Sequence, residues 1–102
     1  MDIQLKRGLL DVAVLATARD GETYGYKIIK DLSPALVLTE STLYTILKRL
    51  EGGGLLTARP AEHNGRIRKY YRITAAGLAR IEEFRADWQE MLAIYRLVTK
   101  EG

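Results

Sequence analysis

The sequence predicts a mainly α chain with a single β-hairpin, and three observations carry that expectation. Apolar residues recur at i, i+3, i+4 and i+7 in several windows, the period of an amphipathic helix. Two β-rich runs flank Asn64-Gly65, a strong hairpin turn signal. No proline follows Pro60, so nothing interrupts a long helix from Thr74 onward.

The elements follow in order. Residues 3–19 are apolar on more than one face (Leu5, Leu9, Leu10, Val12, Leu15), which favours a helix that a small monomer cannot fully cover. Asp20-Gly21 ends it. A second helix is expected over 23–32, with Gly25, Ile28, Ile29 and Leu32 on one face, stopped by Ser33-Pro34. Residues 36–38 are short and extended. Thr39 reads as the N-cap of a third helix running to about Glu51, whose buried face is Leu43, Ile46, Leu47 and Leu50. Gly52-Gly53-Gly54 ends that helix. Residues 55–59 and 67–73 read as strands, joined by a connection longer than two residues, so a mobile tip is expected. Thr74 caps a last helix to about Thr99. Three helices, a hairpin and a helix make a winged helix-turn-helix: residues 1–73 as a binding unit with its wing at about 55–73, and 74–102 as an added C-terminal helix.

Composition narrows the function. The chain has 102 residues, 47% hydrophobic and 28% charged, which describes one globular domain. It shows no membrane-length apolar run and no secretory leader pattern, so a cytoplasmic protein without membrane partners is expected. With no Cys and one His, disulfides, thiol nucleophiles, metal sites and cofactors are not expected. His63 has neither a nucleophile nor an orienting partner in view, so an enzyme is not expected either.

The net charge of +3 is uneven. Residues 48–72 hold seven Lys/Arg against two Asp/Glu, while both flanks are slightly acidic. A basic stripe on a near-neutral body is the footprint of a nucleic-acid binder, although it also describes a solvated, Arg-rich hairpin. Opposite its apolar face, the third helix presents Ser41, Tyr44, Thr45 and Lys48, side chains that suit a major groove. On the second strand Arg66, Arg68, Tyr70 and Arg72 share one face, placed to grip phosphates; pairing of Arg66 and Arg72 with glutamates is the plainer alternative. Tyr70 and Tyr71 are expected to be part core.

Along the last helix Ile81, Phe84, Trp88, Met91, Tyr95 and Val98 form a heptad seam. Together with Leu5 and Leu9 of the first helix, it calls for a second copy of the chain, its last helix packed on the partner's first. Trp88 is either plain dimer core or a stacking platform for a planar aromatic or cationic ligand, with Phe84, Met91, Leu9 and Val12 around it.

The motifs Gly8-Leu9-Leu10, Tyr24-Gly25-Tyr26-Lys27-Ile28-Ile29, the run from Glu40 to Glu51, Gly54-Leu55-Leu56, Gly65-Arg66 and the run Arg68 to Thr74 with Gly77 resemble the PadR-type transcriptional regulators across nearly the whole chain. The length resembles the short subfamily, which includes a lactococcal multidrug-responsive repressor whose helix tryptophan sandwiches planar drugs. Trp88 matches that position by its spacing from Thr74. The resemblance implies a homodimeric repressor binding a palindromic operator in double-stranded DNA. On that reading Ser41, Thr42, Tyr44, Thr45 and Lys48 enter the groove, Tyr24, Tyr26 and Lys27 meet phosphate, and Arg66, Arg68 and Lys69 hold flanking backbone. A module binding protein or RNA is the rival. The glycine run at 52–54 departs from the family, and so does the lack of a carboxylate below Trp88, where Asp87 and Glu90 are the nearest.

Overall fold

The computed structural model describes residues 1–100; the last two residues of the 74–102 segment lie outside the described residues. The order is α1 (Ile3–Thr17), α2 (Gly25–Leu32), α3 (Glu40–Gly52), β1 (Leu56–His63), β2 (Arg66–Ile73) and α4 (Ala75–Thr99), a winged helix-turn-helix extended by one helix. No helix is long and apolar enough to cross a membrane among the described residues.

Local chemistry starts and stops these elements. Asp2 caps α1 by accepting from the Leu5 backbone N–H. Thr39 caps α3 by accepting from the Thr42 N–H, and Thr74 caps α4 by accepting from the Gly77 N–H. Thr74 also donates to the Gly54 carbonyl, which pins the start of α4 to the end of α3.

α2 begins at Gly25, two residues later than expected from sequence. The Thr23 N–H and carbonyl pair instead with Tyr71, making a short third edge beside β2, and Tyr24 stays extended as the helix cap. The wing tip also corrects the sequence expectation. Instead of a long loop, β1 runs through Pro60 to His63, and Asn64-Gly65 alone makes the turn, both with positive φ (50° and 78°). That is the mirror-image turn whose twist matches a hairpin, and Asn-Gly tolerates its left-handed backbone. Counting back from His63–Arg66, the antiparallel alternation puts Pro60–Lys69 at a non-hydrogen-bonded pair, so Pro60 withholds no ladder bond.

The core lies where α1, α2 and α3 meet the base of the wing. Val14, Leu15, Ile28, Leu43, Leu47, Leu50 and Leu56 are buried there, joined by Tyr71 from β2 and Ile81 from α4. Val12 and Ile81, expected at a ligand site and at a dimer seam respectively, belong to this intrachain core. The first turns of α4 rest on the chain's own α1, and Phe84 is half-buried against the same cluster.

Candidate nucleic-acid interface

α3 buries one stripe and presents the opposite one. Ser41, Tyr44, Thr45 and Lys48 are all exposed on it. The Thr45 hydroxyl donates back to the Ser41 carbonyl at 3.0 Å. Thr42 is turned toward α1, its hydroxyl 3.0 Å from that of Thr39, and both it and Thr45 border a hollow of about 270 Å³ with Lys6, Arg7 and Arg49. Arg49 is bonded to Asp11, which ties α3 to α1. Tyr44 lies across Gly25: a Cβ on Gly25 would fall 2.7 Å from the Tyr44 hydroxyl oxygen, so a side chain there would push the half-exposed Tyr44 ring aside.

A cleft of about 580 Å³ separates α3 and the start of α2 from the wing, with Tyr24, Tyr26, Tyr44, Arg66, Arg68 and Lys69 among its walls. Sequence reasoning passed over Ile67 at the wing tip and Glu40 in this cleft. No side chain caps the N-terminus of α2, which leaves its first backbone N–H groups and positive dipole end facing this side.

The basic residues sort into two groups. Among the described residues no ion pair involves Lys48, Arg66 or Arg68. Lys27, expected to meet phosphate, is bonded to Asp31 at 2.8 Å, and Lys69 to Glu51 at 3.1 Å; each acid raises its lysine's pKa. Both pairs are exposed, so they are weak enough to exchange for a phosphate. Arg72 approaches Glu22 at 4.0 Å, as the plainer alternative required, whereas Arg66 has no such partner among the described residues.

Glu22 and Arg59, to which the sequence assigned no role, anchor the wing. Arg59 donates through Nε and Nη2 to the two Glu22 oxygens, each at 2.7 Å. That bonding holds the Glu22 carboxyl below the usual carboxylate range. Nothing local signals the pair, because its members are 37 residues apart. Tyr71 is buried, and burial pushes its phenol pKa up. Tyr70 is half-buried on the other face. His63 sits at the wing tip with the Asn64 amide nitrogen 3.3 Å from its Nε2.

Far from this cleft, Trp88 stacks on Phe84 with ring centroids 6.2 Å apart, leaving much of the indole exposed. Met91, Tyr95 and Val98 continue an exposed apolar face, joined by Ile94 and Leu97. Leu9 lines a separate apolar hollow with Met1, Leu10, Ala13 and Leu36, none of them on α4. Val12 is buried in the intrachain core and lines neither that hollow nor an open face beside Trp88.

Comparison with known proteins places this geometry. Residues 14–83 match the transcriptional regulator PadR-like family. A transcriptional regulator of Mycobacterium tuberculosis is 34% identical over 89 residues, covering 86% of this chain and 83% of that protein. A PadR family transcriptional regulator from Eggerthella lenta superposes with a TM-score of 0.84 at 32% identity, covering 98% of this chain and 89% of the other. PadR of Bacillus subtilis, solved in complex with operator DNA, superposes with a TM-score of 0.69 at 26% identity over 74% of this chain and 46% of that one. The chain belongs to the PadR-like family, whose members are transcriptional regulators and not enzymes.

Proposed function

We propose that this chain binds a palindromic operator as a homodimer and represses transcription, with residues 1–73 reading DNA and 74–102 joining two copies. The observation that carries the reading is the cleft between α3 and the wing. Arg66 and Arg68, without ion-pair partners among the described residues, and Tyr44 line it, and the exposed Ser41 and Lys48 continue the outward stripe of α3 on which Tyr44 lies. In a two-fold dimer the two α3 helices enter successive major grooves about 34 Å apart. Tyr26 and the uncapped start of α2 face a phosphate beside the groove.

The exposed face of α4 supports dimerisation, because Trp88, Met91, Tyr95 and Val98 leave apolar surface that a second copy would cover. A planar aromatic or cationic effector between two copies would lie on Trp88, whose indole already stacks on one face of Phe84. Such an effector relieves repression only by binding the DNA-incompetent dimer more tightly.

The test is fluorescence anisotropy with the DNA upstream of the chain's own gene and with a random duplex, beside sedimentation of the free protein. Tighter binding to the upstream DNA by a two-chain species is expected. Equal affinity for both duplexes, or preference for RNA, would sink operator recognition. Titrating planar cations and phenolic acids against Trp88 fluorescence tests the effector site; no quenching by any of them overturns it.

A further inference from the structure

On the outward face of the sheet, alternate residues of β2 run from the tip of the wing to its base as Arg66, Arg68, Tyr70 and Arg72. Glu22 and Tyr24 share this face, because Thr23 between them pairs with Tyr71 and is buried. The Arg68 guanidinium lies 3.8 Å from the centroid of the Tyr24 ring. Tyr70 braces that ring edge-on, with centroids 5.8 Å apart at 72°. Arg59 in turn sits 5.3 Å from the Tyr70 centroid and is fixed by its two bonds to Glu22. The result is one continuous stack from Glu22 to Arg68.

Arg59 and Arg68 use their guanidinium groups in opposite ways. Arg59 spends N–H groups of its edge on a carboxylate. Arg68 lies over a ring and has no carboxylate within ion-pair distance among the described residues. A guanidinium's five N–H donors lie in its plane, so stacking through the face leaves the edge for an anion's oxygens. Arg68 also borders the cleft beside α3, where the DNA backbone would pass.

We propose that Tyr24 is a positioning residue for DNA binding: its ring, braced by Tyr70 and the Glu22–Arg59 pair, holds Arg68 with its edge turned to a phosphodiester. The inference deepens the DNA-binding reading and rests on it. It assigns the contribution of Tyr24 to its ring rather than to a hydroxyl on phosphate. An unbraced Arg68 would have to be ordered on binding, and its phosphate contact would weaken accordingly.

The test measures binding to a labelled random duplex of about 30 base pairs across a salt series. Tyr24→Leu is expected to weaken binding about 3- to 5-fold, the size of one exposed cation–π contact. It should also lower the salt slope by up to about one unit. Tyr24→Phe restores both, since the ring remains. In an Arg68→Ala background, Tyr24→Leu changes affinity by less than about 1.5-fold, because the two act as one unit. Two results would overturn the proposal: a Phe variant as weak as Leu, or Tyr24 and Arg68 effects that multiply. A second readout needs no DNA. In the free protein the ring should shift the Arg68 side-chain proton resonances upfield, with the shift kept in Tyr24→Phe and lost in Tyr24→Leu. A chain that binds no duplex overturns the DNA reading and this role together. Absence of the ring shift in a chain that does bind overturns this role alone.

Discussion

Leu43, Ile46, Leu47 and Leu50 of α3 are at most 2% exposed, whereas Trp88, Met91, Tyr95 and Val98 of α4 are 40–74% exposed, although both sets recur every three to four residues. The difference lies in what runs alongside. α3 is enclosed by α1, α2 and β1. α4 has 25 residues and α1 only 15, so at 1.5 Å per residue they span about 37 and about 22 Å. Ile81 and Phe84 find α1 beneath them; the turns beyond outrun it. A periodic apolar stripe thus says that a helix needs a partner without saying that the partner is in the same chain.

Five substitutions, in four experiments, break or sharpen this contrast. The largest effect belongs to the enclosed stripe: Leu47→Ala should cost about 2–5 kcal/mol of folding stability, read from urea unfolding, because it opens a cavity no neighbour can fill. On the exposed stripe, truncating Trp88 and Tyr95 to Ala should leave the fold in place while weakening self-association by about 30-fold or more, as loss of buried aromatic anchors does. Sedimentation over a concentration series checks this, and an unchanged association constant would make that face irrelevant to dimerisation. Turning to the polar side of α3, Lys48→Ala should lower the salt slope of DNA binding by about one unit with unfolding unchanged. An unchanged slope would show that Lys48 does not meet phosphate.

The smallest effect is expected at Glu22→Gln. Arg59 holds the Glu22 carboxyl below its usual 4.5, so the folded state favours the charged form. That contribution is complete above the unfolded value and fades as pH falls through the lower folded one. The Arg59 Hε resonance should therefore move below about pH 4.5 in the unmodified chain and stay still in Glu22→Gln. Movement in both would remove Glu22 as the partner.

Much of the fold was legible because its signals are local. The caps at Thr39 and Thr74 act within three residues, and the helical stripe of α3 repeats within two turns. The polar face of α3 was legible for the same reason, being the complement of that stripe. The wing's true length was obscured by Pro60, which reads as a strand breaker until the register places it at a position that needs no N–H donor. Lys27 and Lys69 looked like free cations in sequence, yet each has an acid within reach in the fold.

The amino-acid sequence by itself determined the element order, the caps, the concentration of basic residues at 48–72 and the two faces of α3, since each depends on neighbours along the chain. Only the tertiary structure decided how the cations are used. Whether an arginine's edge is occupied by a carboxylate, as in Arg59, or left open above a ring, as in Arg68, depends on residues some forty positions away. Coulombic and stacking forces act through space, so their partners are set where α2, the wing and α3 converge.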